Sequence, residues 1–82
     1  MKITKNDMGK LYLLIAFSRR YIVKITNVNS DYLAVKTELI HSFDNKNHKK
    51  REFFELSTEG TWTKDVKLIE EIDPEQYPEY FI

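Results

Sequence analysis

Residues 21–39, YIVKITNVNSDYLAVKTEL, decide the fold. They read as two strands joined by a polar turn. In the first arm Tyr21, Val23 and Ile25 share a face; in the second, Leu33, Val35, Thr37 and Leu39 do. Side chains alternate sides along a strand, so these two sets can form one buried surface. Both arms are rich in the β-branched and aromatic residues that suit a pleated, half-buried sheet. Asn27 to Asp31, between them, are mostly residues that tolerate positive φ or bond their own backbone.

Upstream, Gly9 suits a tight approach to a first strand at Leu11 to Phe17. One side of that strand carries Leu11, Leu13, Ile15 and Phe17, the other Tyr12, Leu14 and Ala16. Apolar residues on both sides predict a strand covered on both faces. Ser18-Arg19-Arg20 is short enough for a hairpin turn. Lys2, Lys5 and Lys10 before an apolar run resemble a leader peptide, but the run is short, Asp7 interrupts the basic start and Arg19-Arg20 follow at once. The expectation is a buried strand, and seven apolar residues are far too few to span a bilayer.

Downstream, residues 40–51, IHSFDNKNHKKR, form the longest polar connection. Glu52 to Ser57 reads as a fourth strand with Phe54 and Leu56 inward. Thr58-Glu59-Gly60 is a turn. Val66 to Ile72 reads as a last strand with Val66 and Leu68 inward; a helix capped by Thr63 is the alternative. Asp73-Pro74 ends it. The expected core is Leu13, Ile15, Val23, Ile25, Leu33, Val35, Leu56 and Leu68. One domain over 1–73 and an acidic, aromatic tail over 74–82, PEQYPEYFI, follow from this pattern. Tyr77, Tyr80, Phe81 and Ile82 are apolar enough to dock on the barrel or on a second copy, which makes a homodimer through 74–82 an expected partner mode.

The 82 residues contain no cysteine, which removes disulfides and thiolate metal sites and tilts the compartment toward the cytoplasm. Formal net charge is zero, against a bulk polyanion binder. Residues 1–51 hold eleven Lys or Arg and four Asp or Glu, a net +7, while residues 52–82 hold two and nine, a net −7. Folding brings distant strands together, so the two signs are expected to interleave.

Five short strands and one basic loop outline a small all-β barrel. Asp7-Met8-Gly9-Lys10, the 21–39 hairpin, and Gly60-Thr61-Trp62 with Asp65-Val66-Lys67-Leu68-Ile69 resemble the lead-in, central pair and closing strand of bacterial and phage SH3-like barrels. The chain departs from that pattern in lacking glycines after its first strand, so a curved sheet or an OB-like barrel stays open. The resemblance implies a non-enzymatic module that binds proteins, peptides or nucleic acids. The abundance of Lys, Ile and Asn fits an AT-rich genome and, with it, a phage or mobile-element origin.

Candidate binding residues follow from residue type. Lys46, Lys49, Lys50 and Arg51, beside His48, with Arg19 and Arg20, form a candidate phosphate-contacting patch; Tyr12, Tyr32 or Phe53 can stack bases beside it. Tyr21, Tyr32 and Trp62 are candidates for an aromatic pocket that takes a peptide or a methylated lysine. His41, Asp44 and His48 are possible zinc donors by type, but no helix fixes them to one face and no fourth ligand is evident, so no metal and no cofactor is expected. No phosphate loop, HExxH, GxSxG or cysteine nucleophile occurs, and the carboxylates Glu70, Glu71 and Glu75 fit a solvated face better than acid–base work. The expected function is therefore a protein-binding interaction module. Single-stranded nucleic-acid or RNA binding through the 46–51 loop is the second reading, and membrane binding is not expected.

Overall fold

The Phe17-Ser18 pair sets the first hairpin of the computed structural model, which describes residues 2–43 and 53–76. Both residues lie at positive φ, 51° and 67°. Two central residues of that hand make a two-residue turn whose twist matches the strands on either side. Strand β1 therefore runs Leu11–Ala16 and β2 runs Arg19–Asn29. The expected turn at Ser18-Arg19-Arg20 sits too late, because the turn uses no glycine or asparagine to mark it.

The second hairpin joins β2 to β3 (Ala34–Ser42). Its turn is Ser30–Leu33 rather than Asn27–Asp31. The Asn29 side-chain oxygen accepts from the backbone N–H groups of Asp31 (3.1 Å) and Tyr32 (3.3 Å), which nucleates the reversal. Leu33, expected inside, sits at φ 51° and is exposed. Three further strands follow: β4 (Phe53–Ser57), β5 (Thr61–Thr63) and β6 (Val66–Ile72). The segment read as strand or helix is thus a strand.

All pairings are antiparallel, in the order β4-β3-β2-β1-β6-β5. The last long strand closes back onto the first, and the sheet forms a nearly closed barrel of six strands. The expected count of five missed β5, which is three residues long and exposed throughout. Short single-turn 3-10 helices flank the sheet at Lys5–Asp7 and Pro74–Gln76. Among the described residues no helix is long and apolar enough to cross a membrane.

The core holds Tyr12, Leu14, Ala16, Val23, Ile25, Val28, Val35, Leu39, Leu56, Val66 and Leu68, with Ile3 from the N-terminal segment. Val23, Ile25, Val35, Leu56 and Leu68 are where the alternation puts them. Leu13 and Ile15 are not. They are half-buried on the opposite face, and Tyr12, Leu14 and Ala16 fill the barrel instead. With both faces of β1 apolar, alternation gave no phase, and pairing with β2 and β6 set it. Thr37 is fully buried, and its hydroxyl donates to the Phe54 carbonyl at 2.9 Å, so the group is satisfied.

Asp7-Met8-Gly9-Lys10 acts as a clamp at one mouth of the barrel. The Asp7 carboxylate accepts from the Thr4 backbone N–H at 2.9 Å and from the Tyr12 hydroxyl at 3.3 Å. Lys10 Nζ lies 3.2 Å from Asp7 and 3.5 Å from Glu71 of β6. Gly9 takes φ 87° and donates its N–H to the Ile25 carbonyl at 2.8 Å. A side chain would have open space there, so the demand for glycine comes from the backbone angle.

A candidate aromatic groove at the barrel seam

The barrel is least closed where β4 faces β5. Ring by ring, an apolar groove is built at that seam. Tyr21 projects from β2 on the core side, as the partner of Leu14 across the ladder. Phe54 of β4 meets it with ring centroids 5.5 Å apart and planes tilted by 47°. These two half-buried rings form the floor, beside Val66. The tilt lies between the offset-stacked and edge-to-face arrangements and avoids the disfavoured face-to-face sandwich.

The walls are exposed. Phe17 stands at the β1–β2 turn and Trp62 on β5, at 64% and 66% exposure. Large aromatic side chains left this open on a small domain are uncommon unless something covers them. The Phe17 N–H donates to the Asp65 carbonyl at 2.9 Å, which ties the first turn to the β5–β6 turn and sets the two walls side by side. Together with Arg19, these residues enclose about 270 Å³. The groove continues along the seam past Glu55.

Phe17 also carries backbone strain. At φ 51° a bulky L-residue costs on the order of 1–2 kcal/mol more than at ordinary angles. That angle is the one the two-residue β1–β2 turn requires, so the turn holds the ring out in solvent.

Of the residues singled out in sequence, Arg19, Tyr21 and Trp62 come together here. Phe17, Phe54 and Val66 were missed as site residues. Phe17 was placed inside a strand, and the signal that could have found it is an aromatic directly before a serine in a two-residue reversal. Tyr32 does not join the pocket; it stands 81% exposed in the turn at the other end of β2. Tyr12 is buried. Phe53 belongs to β4, with its backbone opposite Glu38.

Arg19 and Arg20 do not converge. Consecutive strand residues point to opposite faces. Arg19 lines the groove, and the Arg20 guanidinium sits 5.3 Å from the centroid of Phe43, whose ring also meets His41 edge-on at 4.9 Å. Lys46, His48, Lys49, Lys50 and Arg51 lie outside the described residues, as do Asp44 and the tail residues Tyr77, Tyr80, Phe81 and Ile82. Among the described residues no group of three potential metal ligands occurs.

Among the described residues, the titratable groups that move from their ordinary values cluster at the clamp, away from the groove. The Thr4 backbone hydrogen bond, ahead of Lys10 and Tyr12, holds the Asp7 carboxyl below its usual range. The hydrogen bond to Asp7 and the charges of Glu71 and Asp7 raise Lys10. Desolvation, then the Asp7 and Glu71 charges, raises the Tyr12 phenol. Comparisons with family models, with curated proteins and with solved structures found no match to this chain.

Proposed function

We propose that this protein is a non-enzymatic interaction module of SH3-like type that binds an extended segment of a partner protein in the groove between Phe17 and Trp62. The meander in which the last long strand returns to pair with the first is compatible with that barrel type. The observation that carries the functional reading is that two exposed aromatics, Phe17 at 64% and Trp62 at 66%, line one groove. Leu33 has the same φ and the same exposure in the next turn, and what sets Phe17 apart is that its ring lines a groove with a second exposed aromatic. Aromatic and Arg side chains at the centre of a patch are the ones that dominate protein binding energy, and the groove offers Phe17, Tyr21, Phe54, Trp62 and Arg19. Among the described residues the shifted carboxyl, ammonium and phenol groups all belong to the clamp, which favours a binding role over acid–base chemistry in the groove.

A second reading rests on Arg19 beside exposed rings, an arrangement that also stacks single-stranded bases. Trp62 is the chain's single tryptophan, so its emission reports groove occupancy directly. A bound partner peptide should shift that emission to the blue, with little dependence on salt. Single-stranded oligonucleotides should quench it, with affinity falling as log salt rises. No spectral change with partner peptides or oligonucleotides would remove both readings.

A further inference from the structure

β1 has a second apolar face. Leu11, Leu13 and Ile15 point away from the barrel core, and the ladders place Ile22 of β2 opposite Leu13 and Ile72 of β6 opposite Leu11. Cross-strand partners share a face. Ile22 is 0% exposed and Ile72 6%, yet neither belongs to the core cluster inside the barrel. Two isoleucines and three half-buried aliphatics thus form a contiguous strip across β2, β1 and β6. Arg20, Lys24, Lys67 and Glu70 rim the strip on the same face, and its aliphatic centre still needs a layer over it.

We propose that residues 77–82 of the same chain supply that layer, lying across the Leu11–Leu13–Ile15 strip beside Ile22, whose other flank is His41 of β3. Composition selects the segment. Residues 44–52, DNKNHKKRE, contain no aliphatic residue, whereas residues 77–82, YPEYFI, are apolar or aromatic at every position but Glu79. Position agrees. β6 ends at Ile72, beside Leu11, so the chain leaves the sheet at one end of the strip. It then turns at once: the Asp73 side chain accepts from the Glu75 N–H at 3.0 Å and its carbonyl from the Gln76 N–H at 3.0 Å. Reach suffices, since the strip is about 13 Å long at roughly 3.3 Å per strand residue and six extended residues cover about 20 Å. Charge is complementary as well, because Lys24, Arg20 and Lys67 outnumber the single carboxylate Glu70 on this face while the segment carries Glu79.

The absence of native cysteine allows a clean test by disulfide trapping in the full chain. Leu13→Cys is combined in turn with Tyr80→Cys and with Phe81→Cys, and Leu33→Cys, in the exposed β2–β3 turn, replaces Leu13→Cys as the control. At least one Leu13 pairing should close as an intramolecular disulfide on the order of tenfold faster than its control, because docking raises the effective concentration. Closure no faster than the control overturns the proposal. A disulfide-linked dimer as the main product also overturns it, assigning the strip to a second copy. Phe81→Asp in the cysteine-free chain gives an independent readout. It should lower the Tm and increase binding of an apolar dye, and an unchanged Tm with unchanged dye binding counts against the docked segment.

Discussion

Arg19 and Arg20 are adjacent in the chain and serve opposite faces of β2: Arg19 lines the seam groove, and Arg20 lies 5.3 Å from the Phe43 ring centroid on the other side. A dibasic pair that reads as one patch is therefore split by strand geometry. Arg19→Ala should weaken partner binding with little effect on Tm. Arg20→Ala should leave binding intact and cost about 0.5–1 kcal/mol of stability, the worth of an exposed cation–π contact. Titration by Trp62 emission and a urea melt of each variant separate the two.

Trp62→Ala should cost about 2 kcal/mol of binding, roughly thirtyfold in Kd, as the truncation of a central aromatic does. Its exposure on β5 predicts a melting curve close to the parent. Partner binding by isothermal calorimetry checks the first part and circular dichroism the second.

Phe17→Asn should move stability and binding in opposite directions. Asparagine accepts the left-handed angle that phenylalanine resists, so the variant should gain about 1 kcal/mol. It should also lose one wall of the groove, and with it partner affinity. A variant that binds as well as the parent would show that the ring at Phe17 is not used.

Two core truncations test the phase of the sheet. Leu14→Ala should cost about 2–5 kcal/mol, and Val35→Ala about 1–3 kcal/mol, from lost burial plus a residual cavity. Both side chains are 0% exposed. A urea midpoint that barely moves for Leu14→Ala would put β1 back in the opposite phase.

The clamp predicts a pH response at both extremes. Asp7 has a folded pKa below its ordinary 3.8, so its contribution is complete above that value and is lost as pH falls through the depressed one. Lys10 and Tyr12 have folded pKa values above the ordinary 10.5 and 10.0. Their contributions are complete below those values and are lost as pH rises past them. Asp7→Asn should flatten the acid limb of a Tm-against-pH curve and part of the alkaline limb, since Asp7 supports both partners.

The hairpin was legible because Lys24 separates Val23 from Ile25 and Lys36 and Glu38 separate Val35, Thr37 and Leu39, and such alternation is a local signal. β1 was legible as a strand but not in its phase, since its two faces are equally apolar. Ile3 was invisible as a core residue. It sits alone in a polar segment and is placed by a backbone hydrogen bond to Thr58, 55 residues away along the chain. The groove was half legible. Tyr21 and Trp62 could be named by type, but what joins them to Phe17 and Phe54 is barrel closure, a long-range event that no short window records.

The ladder between β1 and β6 also sets an order of events during folding. β1 ends at Ala16 and β6 begins at Val66, so pairing them closes a long loop, whereas β1–β2 and β2–β3 close across short turns. Relative to a two-residue connection, a loop of that length costs about 3 kcal/mol more in chain entropy. The hairpins centred on β2 should therefore be structured in the transition state while β6 is still free. Substitutions at Val35 would then slow refolding, and those at Leu68 would chiefly speed unfolding, a division that chevron analysis reads directly.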